Sequence, residues 1–433
     1  MDTNPVVTSN PTFKPNPKRR RPSPWIRLQL WFNTYRKFFT LVVSMNTVGL
    51  ALAISGRWTY PRHYTGAFVL GNLQTAIITR NELFMRVLYL FVNTCLAKWT
   101  PLRFRLACTS ALQHIGGIHS GCAISGFLWL VYRITNCFIA LRTMPSSMMA
   151  AGVMTNIAIA VCIVSAFPWI RNNHHNVFER HHRFVGWCGL VSTWVFVILG
   201  DMHDPESHSW DPTVGILRQQ DFWFVFIMTV FTIIPWLTVR RVNVDVELPS
   251  PKVAVLRFER GMQQGLLARI SRECILEYHA FGIILEGKCS KYHYLICGVQ
   301  GDFTRRLFAG VSNTSTLYTR GIRVCTGTGL GAALSTCLQS PYWYLIWIGS
   351  DQEKTFGPTI SGLIHQNLSP ERMTLWDSKK EGRRPDVMKL VRDAYISWQA
   401  EVVFITSNHQ GNQEIMEGCK EAGIPAFGTL WDF

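Results

Sequence analysis

Between Val324 and Leu334 the chain reads Val-Cys-Thr-Gly-Thr-Gly-Leu-Gly-Ala-Ala-Leu, with Gly327, Gly329 and Gly331 at alternate positions and Thr328 among them. The apolar run Ile322 to Cys325 ahead of this turn reads as a strand, and Ala332 to Cys337 after it reads as a helix. Lacking side chains, such glycines let backbone approach a pyrophosphate, whose charge is met by amide N–H groups and the positive end of the following helix. The plainer alternative is a glycine turn with no ligand. A second group, Gly382, Arg383, Arg384, Pro385 and Asp386 with Lys379 and Lys380 just before it, gathers cations that could hold a 2′-phosphate. That favours NADPH over NADH, although a solvated basic loop has the same composition. Histidines form a third set: His114 and His119 in one apolar run, His181 and His182 in another, and His174 and His175 in a loop.

The elements that must position these residues fall into two textures. Hydrophobic residues make up 48% of the 433-residue chain and charged residues only 16%, a membrane-like skew that fills roughly the first 240 positions. Six apolar stretches, near 38–56, 66–97, 104–132, 148–168, 180–201 and 222–239, are each long enough to cross a bilayer as a helix. Lys98, Arg103 and Arg105 follow the second, Arg171, Arg180 and Arg183 the fourth, and Arg240 and Arg241 the sixth, whereas the loop after the fifth holds Asp201, Asp204, Glu206 and Asp211. The positive-inside rule then puts both termini in the cytoplasm. Much of the +16 formal charge lies in the proline-rich arm Lys14 to Arg21, which suits anionic lipid and gives no reason to invoke nucleic acid. Twelve cysteines without a Cys-x-x-Cys pair indicate neither a zinc site nor a disulfide framework. Arg80, Glu82 and Arg86 interrupt the second stretch and are the sole motive for a transport reading.

After Arg241 come short strand-like runs, Val253 to Phe258, Gly282 to Glu286 and Tyr294 to Val299, and then alternating strand and helix signals through Tyr344 to Ile348, Asp386 to Tyr395 and Val402 to Ile405. The expected organisation is a disordered basic tail over 1–24, a six-helix transmembrane bundle over 25–241, a small β-barrel-like domain over 250–320 and an α/β nucleotide-binding domain over 321–433.

The glycine turn resembles the pyrophosphate loop of ferredoxin reductase-type modules, especially those of the ferric reductase and NADPH oxidase superfamily. Tyr278-His-Ala-Phe-Gly-Ile283 resembles that superfamily's His-Pro-Phe-Thr/Ser flavin stretch: His279 and Phe281 match, while Ala280 replaces proline and Gly282 replaces the hydroxyl residue beside the reactive flavin edge. Gly301-Asp-Phe-Thr-Arg-Arg-Leu307 resembles the segment leading to the FAD phosphates, for which the Thr304 hydroxyl and the Arg305 and Arg306 cations are chemically suited. Gly382-Arg-Arg-Pro-Asp386 resembles the Gly-Arg-Pro-Asp nucleotide motif with one extra arginine, and Thr406-Ser-Asn408 stands where the family has Cys-Gly-Pro. A terminal aromatic often stacks on the flavin in this superfamily, a role open to Trp431 or Phe433. Six spans ahead of such a module resemble the fungal TmpA-like family of membrane flavoproteins over nearly the whole chain, including His181-His-Arg-Phe-Val-Gly-Trp187 and Gly423-Ile-Pro-Ala-Phe-Gly428. The resemblance implies FAD, NADPH or NADH, and electron transfer to an unknown acceptor, in fungal development or secondary metabolism.

Ferric reductases stack two haems between helices that each carry two histidines about four turns apart. His114 and His119, five residues apart, cannot serve two stacked haems. The spacing admits at most one inner haem b, held by His114 opposite His181 or His182, and the simpler reading leaves these histidines hydrogen-bonded at the membrane interface. The reading overall is a membrane-bound NAD(P)H-dependent flavin oxidoreductase; its rivals are a non-catalytic redox or nucleotide sensor, motivated by Gly282 and the missing Cys-Gly-Pro, and a transporter.

Overall fold

The computed structural model describes residues 22–139, 145–204, 207, 209–210, 215–239, 242–259, 267–270, 279–285, 291–298, 308–309 and 314–429. The N-terminal part is helical: α1 (Pro24–Trp31), α2 (Thr34–Ile54), α3 (Tyr60–His63), α4 (Thr65–Ile78), α5 (Glu82–Cys95), α6 (Leu102–Gln113), α7 (Gly116–Ile139), α8 (Ser146–Ser165), α9 (Pro168–Asn173), α10 (His175–Met202) and α11 (Gln220–Leu237). A minimal ladder, β1 (His203–Asp204) with β2 (Ser209–Trp210), follows α10. Among the described residues five helices are long and apolar enough to cross a membrane: α2, α7, α8, Phe178–Met202 of α10, and α11.

The second and third expected spans are corrected. The stretch 66–97 breaks after Ile78, because the Asn81 side chain accepts from the N–H groups of Leu83 and Phe84 at 2.9 and 3.1 Å and starts α5 as a new helix. What remains of that span is α4, 14 residues and about 21 Å long, short of the ~30 Å hydrocarbon core. Arg80 and Glu82 therefore stand at a helix break and not inside a crossing helix, which removes the motive for the transport reading. Likewise the stretch 104–132 divides at His114, the C-cap of α6, and the long helix begins at Gly116.

Around Trp129, Leu130, Leu70 and Phe196 the apolar helices share one core. Polar contacts fix their ends. Tyr35 bonds Ser120 at 2.7 Å and Asn81 donates to the Phe231 carbonyl at 2.7 Å at one end, while Arg133 meets Asp221 at 3.3 Å at the other. The start of α2 and the end of α11 thus lie at the same end of the bundle.

The C-terminal module joins two sheets. Strands β3 (Asp245–Ser250), β4 (Val253–Phe258), β5 (Leu267–Ile270), β6 (His279–Leu285), β7 (His293–Gly298) and β8 (Phe308–Ala309) pair antiparallel in the order β3-β4-β7-β6-β5-β8. Then β9 (Gly321–Thr326), α12 (Leu330–Gln339), β10 (Trp343–Gly349), α13 (Gln352–Asn367), β11 (Met373–Asp377), α14 (Val387–Ser397), β12 (Val402–Thr406), α15 (His409–Glu421) and β13 (Ala426–Phe427) build a parallel sheet of order β11-β10-β9-β12-β13. Its strands are near-continuous apolar runs, as both faces are covered: Ile322, Val324 and Ile405 pack under Val391 and Ile415 of α14 and α15, while Cys325, Trp343 and Phe404 face Leu330, Leu334 and Ile360 of α12 and α13. That second core also takes in Tyr89 and Val92 of α5 and Leu112 of α6. The segment expected to lie in the membrane is therefore partly a bracket for the module.

Candidate nucleotide site

The parallel sheet reverses its strand order beside β9: β10 and β11 lie to one side, β12 and β13 to the other. Ligands of open α/β sheets bind outside the carboxyl ends of strands at such a switch point. The residues there are Gly327, Thr328 and Gly329, a single 3-10 turn between β9 and α12, facing Thr406, Ser407 and Asn408 at the end of β12. Thr326 Oγ1 and Ser407 Oγ share a 2.8 Å hydrogen bond, and the Trp347 indole donates to the Gly327 carbonyl at 3.1 Å, tying three strand ends together.

Close approach explains the sequence of the turn. A Cβ on Gly329 would stand 2.5 Å from the Thr406 carbonyl oxygen, so only glycine lets β9 and β12 converge here. Gly327 has φ +52° with nothing near its missing side chain, and a Cβ on Gly331 would meet Ile296 at an ordinary 3.5 Å. No side chain caps α12; the Leu330 N–H bonds back to the Gly327 and Thr328 carbonyls, and no side chain competes with an anion for the glycine turn ahead of it. The neighbouring helix differs: at the start of α13, Asp377 accepts from the N–H groups of Asp351 and Gln352 at 2.8 and 2.9 Å. Burial pushes the Asp377 carboxyl up, but these bonds and those from the Lys379 and Lys380 amides hold it below the usual range. One helix N-terminus is thus filled by the protein's own carboxylate, and the one behind the glycine turn has no side-chain cap.

The basic cluster follows β11. Lys379 pairs with Asp351 at 2.5 Å and Lys380 with Glu353 at 3.3 Å, all on the surface. Arg383 lies 5.5 Å over the Trp376 ring, Arg384 is exposed, and Gly382 turns with φ +65°. Asp386 accepts from the Lys389 amide at 3.1 Å as the N-cap of α14, and Pro385 beside it is buried. This half of the motif has a structural duty, which leaves Arg383 and Arg384 as the cations available to a ligand.

His279, Phe281 and Gly282 lie on β6, with Phe281 half-buried. Gly282 departs from expectation. A Cβ there would come within 2.3 Å of the Ala332 Cα and 2.4 Å of the Gly331 carbonyl oxygen, so the first turn of α12 rests on this strand and the hydroxyl residue of the resembling family has no room. Glycine at 282 is thus a packing requirement between the two sheets. Gly301, Thr304, Arg305, Trp431 and Phe433 lie outside the described residues.

The histidines are placed differently from the expectation. His114 is the α6 C-cap, its Nδ1 donating to the Ser110 carbonyl at 2.7 Å, and His181 is exposed. The histidine of α7 that reaches the bundle interior is His119, whose Nδ1 donates to the Ala76 carbonyl at 2.9 Å; His182 donates likewise to Cys162 at 3.1 Å. The two are close enough to interact electrostatically, and Arg80 acts on both. Among the described residues no group of three or more His, Cys, Asp or Glu forms a metal site. Sequence reasoning also misses Trp347, whose type carries no signal for the turn it braces.

By sequence the chain is similar to proteins named reductases. The family model for the C-terminal domain of adenylate-forming reductase 03009 matches residues 311–433. Two curated proteins of Coprinopsis cinerea, adenylate-forming reductases 06235 and 03009, are each 28% identical to the chain over 423 and 422 residues. The match takes in 93% of this chain and 40% of each relative, so the chain spans well under half the length of either. Solved structures give slighter likenesses: full-length CYP116B46 from Tepidiphilus thermophilus (TM-score 0.34, 11% identity, 94% of this chain and 77% of that one) and the cytochrome b5 reductase domain of Ulva prolifera nitrate reductase (0.31, 10%, 44% and 95%). The relatives found by sequence carry the adenylate-forming reductase name, and the TmpA-like resemblance rests on its motifs alone. The chain is therefore similar to proteins named reductases, most clearly over the residues that carry the glycine turn and the basic cluster.

Proposed function

We propose that the chain is an oxidoreductase that binds NAD(P)H at the carboxyl end of β9 and FAD beside β6, and that its apolar helices hold it in a membrane with the module on the cytoplasmic side. The observation carrying this reading is the uncapped N-terminus of α12 behind Gly327 and Gly329, at the switch point of a parallel sheet and against a second, antiparallel sheet. The pyrophosphate would take the α12 amides, and Arg383 and Arg384 the 2′-phosphate of NADPH. His279 and Phe281, with Gly301, Thr304 and Arg305, would hold the flavin, which supplies hydride acceptance and one-electron donation when bound. The acceptor is a membrane-soluble or small molecule, and the setting implied by the motif resemblance is fungal development or secondary metabolism. Isothermal titration of the purified chain with NADPH tests the site: binding lost in Gly329→Val with flavin content kept supports it, and unchanged affinity overturns it.

One haem b is the furthest the histidines extend. His119 and His182 each engage Nδ1 with a backbone carbonyl, an arrangement that fixes the ring and leaves Nε2 for ligation. A pyridine haemochrome assay of more than one haem per chain would contradict this.

A further inference from the structure

The helix α5 has two apolar faces. Met85, Leu88, Tyr89, Val92 and Leu96 face the core of the C-terminal module, while Leu83, Val87, Leu90 and Phe91 are 47%, 58%, 56% and 57% exposed. The exposed four recur at spacings of four, three and one and so form one continuous stripe along the opposite side. A helix with apolar residues on two opposite faces ordinarily buries both, and this one is covered on one side only.

Resting on the membrane reading above, we propose that α5 is an in-plane interfacial helix that seats this stripe in the cytoplasmic leaflet and sandwiches itself between lipid and the module. Continuity carries the choice of occupant. α5 follows the apolar α4 across three residues, and the Asn81 bond to Phe231 of α11 pins its start to the end of the bundle where α7 begins and α11 ends. At 14 residues, about 21 Å, it is too short to cross. The flanks suit headgroups: Arg86, Lys98 and Arg103 are exposed, and the Trp99 side chain is 74% exposed at the helix end. Cations beside anionic lipid and an indole at the interface are what such a helix uses. A groove for a soluble partner needs neither the cations nor the link to α4.

The test uses the full chain in vesicles of phosphatidylcholine and phosphatidylserine, with Phe91→Cys carrying an environment-sensitive fluorophore and Cys95, Cys188, Cys274 and Cys289 replaced by Ser. The expected result is blue-shifted emission, quenched several-fold more by lipid brominated near the carbonyls than by aqueous iodide. Co-flotation with the vesicles reads the membrane assignment separately. A protein that floats while its probe is quenched by iodide alone overturns the inference and leaves the membrane reading standing. A disulfide joining two copies of the unlabelled Phe91→Cys variant overturns it in favour of a self-docking face, and failure to float overturns both.

Discussion

Arg105 and Glu401, 296 residues apart, meet as a fork, Nη1 to Oε2 at 3.0 Å and Nη2 to Oε1 at 2.8 Å. Arg105 is 5% exposed and spends its other donors on the Thr100 and Leu317 carbonyls at 3.1 and 2.8 Å, while Thr109 bonds the Tyr318 hydroxyl at 2.6 Å one turn along α6. The helical part and the module are thus locked through α6. Removing Arg105 takes two charge-assisted hydrogen bonds from Glu401, whose side chain is 22% exposed and keeps some contact with water, a loss of about 2 kcal/mol. Arg105→Ala should loosen the module and raise hydrogen exchange in α6 and the turn at residues 315–317, whereas the Arg105→Met, Glu401→Leu pair should recover most of the loss. Equal exchange in the single variant and the parent would refute the lock.

The same contact has a pH dependence. Burial alone would raise the Glu401 carboxyl, but hydrogen bonds from Arg105 and the Thr319 amide outweigh it and hold the group below its usual range. The docked state then gains from ionised Glu401 above the free-carboxylate value of about 4.3, and the gain disappears as pH falls through the lower docked value. Limited proteolysis between the two parts should accelerate on acidification, and Glu401→Gln should flatten that dependence.

Gly329 and Gly331 separate two meanings of a glycine motif. Gly329→Ala puts a methyl 2.5 Å from the Thr406 carbonyl oxygen and should weaken nucleotide binding by tenfold or more; Gly331→Ala makes ordinary contacts, Ile296 at 3.5 Å and the Gly282 carbonyl at 3.7 Å, and should bind normally. Calorimetric titration of both variants with NADPH decides.

A hydroxyl residue at position 282, as in the superfamily whose flavin stretch this segment resembles, should harm this protein. Gly282→Ser would drive its side chain into the Ala332 backbone, an overpacking that costs about 2 kcal/mol. A lowered melting temperature is expected, and faster flavin turnover from that variant would show that the α12 contact is dispensable.

Much of the layout is legible in the sequence because it depends on periodicity and punctuation: the strand, glycine turn and helix at 322–337 lie where alternating apolar runs and glycines put them. The second span misleads because α5 is apolar on two faces for two reasons, and composition does not say whether a partner is lipid or protein. The charges at Arg80, Glu82 and Arg86 inside that apparent span are the available signal. Spacing within one helix says nothing of how His119 stands to His182, which is a matter of how α7 and α10 pack. Asp386 reads as part of a binding motif and serves as a cap, since an aspartate before a helix fits both.

The nucleotide preference follows from which cations are already engaged. Lys379 and Lys380 face carboxylates, so Arg383→Ala with Arg384→Ala should reduce NADPH affinity at least tenfold and leave NADH nearly unchanged. Equal losses for both nucleotides would assign the arginines to general electrostatics.

Anaerobic titration of the purified full chain in lipid nanodiscs, followed by its visible spectrum, tests whether this is a flavin oxidoreductase at all. The expected result is a bound flavin spectrum that bleaches on addition of NADPH and returns with an added one-electron acceptor, in the parent and not in Gly329→Val. A chain that carries no flavin, or one whose flavin stays oxidised with either nucleotide, would contradict it.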